Sequence, residues 1–186
     1  MTAEKVSLRE QSIVLIGFMG VGKTTIGRAV AKRLYRDFVD IDEEIQGIFG
    51  MPPSDIFKTY GEEVFRQKEK EICLKLFSKK LKVISLGGGS FLQEEIKKSC
   101  LSECIVFFLD LSWDSWKERI SMLIDSRPVL QNKNMDEIYE LFNERQPLYT
   151  DHHSHVKMDN KVMEEVADFI TDSLKTAWDI YEPNGS

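Results

Sequence analysis

Residues 13–25 read IVLIGFMGVGKTT, and this stretch decides the fold. Ser12–Ile16 is a short β-rich apolar run, and Lys23–Leu34 has a helical pattern with small residues on one side. Between them, Gly17, Gly22, Lys23 and Thr24 complete the spacing G-x-x-x-x-G-K-[ST]. Glycines let successive backbone N–H groups turn inward as an anion nest, and the following helix adds the partial positive charge of its N-terminus. The backbone of Gly20, Val21 and Gly22, with Lys23, Thr24 and Thr25, is therefore expected to bind the phosphates of a nucleoside triphosphate. Lys23 is expected to reach the outer phosphates, and the Thr24 hydroxyl to ligate Mg²⁺. A glycine-rich turn that only connects strand to helix is the plainer alternative. The loop names the donor and leaves open where the phosphate goes.

Outward from this loop the chain alternates. DFVDID (37–42) reads as a second strand. Residues 45–57 are broken by GMPPSD, where Pro52 and Pro53 stop one helix and Ser54 caps another. Residues 62–80 suit an amphipathic helix with Val64, Phe65, Ile72, Leu76 and Phe77 inward. LKVISLGGG is a strand ending in glycines, and CIVFFLDL, apolar on both faces, reads as central. Residues 112–123 and 135–149 read as helices, HVKM as a last strand, and Val162–Trp178 as a closing helix. Strands alternating with helices predict a parallel sheet covered on both faces. Residues 12–178 form one predicted domain between a flexible lead-in (1–11) and a frayed tail (179–186).

Composition bounds the function. The 186 residues carry a formal charge of −6, which argues against sequence-independent nucleic-acid binding. No apolar run reaches the length of a membrane span, and the N-terminus lacks a signal-peptide pattern. The three cysteines, Cys73, Cys100 and Cys104, cannot pair completely, which suits a reduced, cytoplasmic protein, here expected to be a monomer. His153 and His155 of DHHSHV could share a strand face, but no carboxylate or cysteine pattern completes a metal site there.

Several residues are candidates for an acceptor site. If DFVDID is a strand, Asp40 and Asp42 share a face beside the phosphate loop. One suits a metal-bound water and the other a general base toward a hydroxyl, although a solvated acidic strand end has the same pattern. Arg66 precedes Glu69 by three on a predicted helix. A carboxylate on its own helix would aim the guanidinium as a bidentate fork; a surface ion pair is the simpler reading of that spacing. Three glycines, Gly87–Gly89, exceed what a strand-to-helix turn needs and suit close approach to a ligand. Arg127 falls where a lid is expected. Arg145 sits late in a helix, where interaction with the helix dipole is the plainer role. Arg119 suits either stacking on a base or simple solvation. Trp113 and Trp116, three apart, are expected to face the core.

Taken together, GFMGVGKTTIGRAVAKRL, DFVDIDEEI, IFKTYGEEVFRQKE, ISLGGGSFL, RPVL and NERQPLY resemble shikimate kinase, in order and over residues 12–175. The resemblance implies an adenylate-kinase-like α/β fold, a three-layer P-loop NTPase architecture with a central five-stranded parallel sheet. It implies transfer of the ATP γ-phosphate to the 3-hydroxyl of shikimate, a step toward chorismate and the aromatic amino acids. Carried over by position, Lys23, Asp42 and Arg127 are catalytic, with Arg127 in a lid (about 119–133) and Asp42 also touching the substrate hydroxyls. Thr24 and Asp40 would serve one Mg²⁺, and Arg119 the adenine side. Arg66, Arg145, Gly88 and Gly89 would contact shikimate, whose binding region spans about 40–70. The chain departs from the pattern at Ser90, where a small apolar residue is expected, and in the more apolar ISMLID before Arg127. The rivals are a kinase of the same fold acting on gluconate or a nucleotide, and a regulatory nucleotide-binding protein. Loss of Asp42 or of the arginines would mark the second; all are present.

Overall fold

The computed structural model describes residues 6–120 and 133–183. Its sheet has five strands: β1 (Ile13–Ile16), β2 (Asp37–Asp40), β3 (Lys82–Ser85), β4 (Ile105–Asp110) and β5 (Ser154–Lys157). All pair in parallel, in the order β2-β3-β1-β4-β5. CIVFFLDL is thus an interior strand, but β1 is the middle one. Every β1 residue is buried, so both sheet faces are covered. The chain leaves β1 toward β2 and β3 on one side and reaches β4 and β5 on the other. The carboxyl end of β1 is therefore a switch point, where open parallel sheets leave a crevice.

Eight α-helices connect these strands among the described residues: α1 (Lys23–Leu34), α2 (Ile41–Phe49), α3 (Pro53–Tyr60), α4 (Glu62–Phe77), α5 (Glu94–Glu103), α6 (Trp113–Ile120), α7 (Met135–Arg145) and α8 (Met163–Tyr181). Helix α1 packs with α8, and α4 with α5. Local chemistry sets several ends. Gly50, with φ of 68°, closes α2, and Pro52 rather than Ser54 precedes α3. Asn134 and Glu137 form a reciprocal capping box at the start of α7. Its last residue is Arg145, after which Pro147 sits in a 3₁₀ turn.

The strand predicted over 37–42 is shorter than expected. The Asp40 carboxylate accepts from the Glu43 backbone N–H at 3.1 Å, so Asp40 ends β2 and caps α2. Asp42 therefore lies in the first turn of a helix and does not share a strand face with Asp40. Val64, expected inward, is exposed. The segment ends are also stitched together. Trp178 donates to the Leu8 carbonyl at 3.1 Å, and Leu8 N–H to Glu182 at 2.8 Å.

His153 serves the fold. Its Nδ1 accepts from the Val106 N–H at 2.9 Å, tying the approach to β5 onto β4. Partial burial lowers its pKa from the ordinary 6.5, a bond to the Leu101 carbonyl opposes this, and the charge of His152 adds to it. A folded pKa below the unfolded one gives stability that is present above about pH 6.5 and lost as pH falls through the lowered value. His153→Asn keeps an acceptor for Val106 and cannot titrate. Its unfolding midpoint is expected to fall less steeply than wild type between pH 7 and pH 5.5; equal slopes would rule this out.

Candidate active site

A cavity of about 900 Å³ opens at the carboxyl ends of β1, β2 and β3. Its floor is the loop between β1 and α1. Gly17, Gly20 and Gly22 have φ of 150°, 78° and 104°, which lets the backbone curl around an anion. Lys23 is buried, and its Nζ donates to the carbonyls of Gly17 and Phe18 at 2.7 and 2.9 Å. The ammonium is thus held over the loop it would share with a phosphate. Gly20, Gly22, Lys23, Thr24 and Thr25 line the cavity. Val21 does not; its side chain is buried in the core, and its carbonyl accepts from Arg119 Nη1 at 2.7 Å.

Asp40 and Asp42 both reach the cavity despite lying on different elements. Thr24 Oγ1 donates to Asp40 Oδ2 at 2.6 Å, so two hard oxygen groups stand side by side next to Lys23. That donor set fits Mg²⁺, which takes few protein oxygens and keeps waters and phosphate oxygens for the rest. Asp42 lines the cavity beside the glycine run. A methyl built on Gly87 would stand 3.1 Å from its Oδ1.

Opposite the loop, Arg66 and Arg145 converge. A methyl built on Gly89 would lie 2.5 Å from Arg145 Nη1 and 2.7 Å from Arg66 Nη2. Among the glycines with positive φ, none belongs to 87–89, so this run provides room rather than unusual dihedrals. Arg66 Nη1 donates to Glu69 at 2.9 Å, and Glu69 is only 1% exposed. The i,i+3 spacing is therefore not a surface ion pair. Arg145 Nη1 is buried with no hydrogen-bond partner among the described residues. A buried guanidinium nitrogen left unbonded is costly, and an anion in the cavity relieves it. Phe57 and Phe65 stack at 4.6 Å beside the two arginines, giving the cavity one apolar wall.

Three supporting groups have no distinctive sequence signal. Tyr149 donates to the Gly88 carbonyl at 2.6 Å and fixes the glycine run; burial keeps its phenol protonated, well above the ordinary range. Trp116 is fully buried and donates to the Met19 carbonyl at 2.8 Å. With Arg119 one turn later, it rivets α6 to the phosphate loop. Met163, the first residue of α8, lies against Gly22, where a methyl would come 2.8 Å from its sulfur. Arg127 and most of the expected lid lie outside the described residues. Among the described residues no cluster of histidine, cysteine and acidic side chains forms a separate metal site, and His153 is committed to Val106.

The strand order and the glycine-rich loop ending its middle strand define the P-loop kinase class. A family model described as "Shikimate kinase" matches residues 19–175. A shikimate kinase of Oceanobacillus iheyensis is 62% identical over 96% of this chain and 98% of its own. One from Bacillus subtilis is 56% identical over 96% of both chains. The solved structure of shikimate kinase from Acinetobacter baumannii in complex with shikimate is 31% identical, with a TM-score of 0.83 over 90% of this chain and 94% of that one. The chain belongs to the shikimate kinase family.

Two glycines separate fold from site. A methyl on Gly17 would lie 2.6 Å from the backbone oxygen of Leu109, whereas on Gly89 it meets only guanidinium ends. Gly17→Ala is expected to lower the unfolding midpoint by roughly 5 °C or more. Gly89→Ala is expected to lower it by less, because its methyl displaces side-chain ends, one of them held by Glu69, and no backbone. Equal losses in a thermal melt would contradict the assignment of Gly89 to the site.

Proposed function

We propose that this cavity transfers the γ-phosphoryl group of ATP to the 3-hydroxyl of shikimate, giving shikimate 3-phosphate and ADP on the route to chorismate and the aromatic amino acids. The observation that carries the acceptor half is the pair of guanidinium groups over Gly89, one with an unbonded buried nitrogen. Planar forks of this kind suit one carboxylate, and shikimate carries one. Arg66 and Arg145 bind it, while Gly88 and Gly89 leave space for the ring. The carboxylate anchor turns the hydroxyl side of the ring toward Asp42.

In this reading the β and γ phosphates lie in the nest of residues 17–24, with Lys23 turning from its loop carbonyls to their oxygens. Asp42 accepts the proton of the 3-hydroxyl as its oxygen bonds to the γ-phosphorus. The bond from that phosphorus to the β,γ-bridging oxygen breaks, and ADP leaves with the electron pair. Thr24 and Asp40 are the residues that would hold Mg²⁺, which when bound neutralises charge on the β and γ oxygens. Arg119, docked on the loop through Val21, faces the adenine side, and Arg127 serves as the lid arginine. All three cysteines are free and buried, which suits a reducing compartment. No helix among the described residues is long and apolar enough to cross a membrane. We read the enzyme as a cytoplasmic monomer.

A coupled assay for ADP tests this directly. Release is expected to rise strongly on adding shikimate, and on adding neither gluconate nor a nucleoside monophosphate; equal rates with and without shikimate would sink the reading. Chelating divalent cations with EDTA is expected to abolish turnover, and added Mg²⁺ to restore it. Asp42→Asn is expected to fold, bind ATP, and lose about 10²–10⁴-fold in kcat, the span of a general-base contribution. A near-normal kcat would remove Asp42 from that role.

A further inference from the structure

The departure at Ser90 leads to a second tier of acceptor recognition. Ser90 is fully buried directly after the glycine run, and its hydroxyl donates to Glu69 Oε2 at 2.9 Å. Gln93 Nε2 donates to Glu69 Oε1 at 2.9 Å and to the Arg66 backbone carbonyl at 3.1 Å. Arg66 Nη1 shares that same Oε1. One buried carboxylate therefore accepts from three side chains on two segments: α4, which carries Arg66, and the 3₁₀ turn following Gly87–Gly89 with the residue after it. A methyl on Gly87 would stand 3.4 Å from both Glu69 Oε2 and Ser90 Oγ, so the loop closes tightly on this junction.

The consequence is geometric. Glu69 is not a free counter-ion that follows Arg66; its other oxygen is pinned by Ser90 and its shared oxygen by Gln93. Rotation of the carboxylate would break two bonds besides the ion pair, leaving buried donors unsatisfied. The height of the Arg66 fork above Gly89 is thus set by the turn that also places the glycine run. Misplacing a fork by a fraction of an ångström weakens a bidentate grip more than it weakens a simple charge attraction.

We propose that Ser90 and Gln93 are positioning residues for the acceptor: acting through Glu69, they fix the Arg66 fork at the height that a substrate carboxylate requires. This rests on the reading of Arg66 as a carboxylate ligand. The side-chain hydrogen bonds of Ser90 and Gln93 go to Glu69 and the Arg66 carbonyl rather than to the phosphate loop, so the effect is expected at the acceptor.

The test is a double-mutant cycle in steady-state kinetics with shikimate and ATP, using Ser90→Ala, Gln93→Leu, Arg66→Ala and each pair with Arg66→Ala. Ser90→Ala alone is expected to raise KM for shikimate about tenfold, the effect of one charge-assisted hydrogen bond. The expected kcat stays within about twofold and KM for ATP is unchanged, because the phosphate loop is untouched. Gln93→Leu is expected to act in the same direction. In the Arg66→Ala background either change is expected to shift KM for shikimate by less than about twofold, since the fork they position is gone. An equal increment in both backgrounds, an unchanged KM in the single variants, or parallel losses toward ATP would each overturn the proposal. If Arg66→Ala alone leaves KM for shikimate unaltered, it is the carboxylate reading of the site that fails. Should Ser90→Ala not fold, the Gln93→Leu arm, which removes a half-buried amide, decides the question by the same criteria.

Discussion

Two guanidinium groups held against the same small patch of backbone repel each other unless anions stand between them. Arg66 and Arg145 are so held, each approaching the space above Gly89. Among the buried carboxylates, Glu69 answers one of them at 2.9 Å. Glu62 reaches the Nε of Arg66 only at 3.5 Å and from an exposed position, where an ion pair contributes little. Arg145 has no ion pair among the described residues and its Nη1 is unbonded, and in the proposed function a substrate carboxylate answers it. Much of the acceptor half follows from this constraint: three glycines to make room, a buried carboxylate to hold one fork, and a capped helix that delivers the other. The negative charge gathered there is felt nearby. Burial first, and then the charges of Glu69 and Asp42, push the Cys73 thiol well above its ordinary range.

The donor half depends on a different device, and the two meet on the floor of one cavity. The phosphate loop is held from above by α6, through Trp116 to Met19 and Arg119 to Val21. Tyr149, just beyond the helix that carries Arg145, bonds the glycine run at Gly88, and a methyl on Gly88 would come 3.2 Å from the Met19 amide. The acceptor loop and the phosphate loop are therefore in near contact. In the proposed reaction, closeness of that kind would let the two substrates meet without a large rearrangement of the sheet.

Much of this was legible in the sequence. The loop at 17–24 carries its own spacing, and the helix over Lys23–Leu34 begins and ends as read. The five parallel strands follow from alternation of apolar runs with helical ones. The acidic pair was legible as residues and misread as geometry: capping by Asp40 ends the strand earlier, a local bond that hydrophobic pattern does not report. The convergence of Arg66 with Arg145 was legible only through family resemblance, because no local rule brings residue 66 to residue 145. Trp116 was legible as a core residue, but the polar roles of Trp116, Tyr149 and Gln93 were not legible. Their work is done by one polar atom on a largely buried body, and in sequence they are indistinguishable from core or surface residues.

The central claim is that the two arginines form a receptor for one carboxylate. Calorimetric titration of the enzyme with shikimate and with shikimate methyl ester, at one ionic strength, tests it most directly. The ester keeps the ring and all three hydroxyls and removes the charge. The account predicts that the ester binds weaker by roughly 100-fold or more, the loss of two charge-assisted bonds. Equal affinities for acid and ester would contradict it.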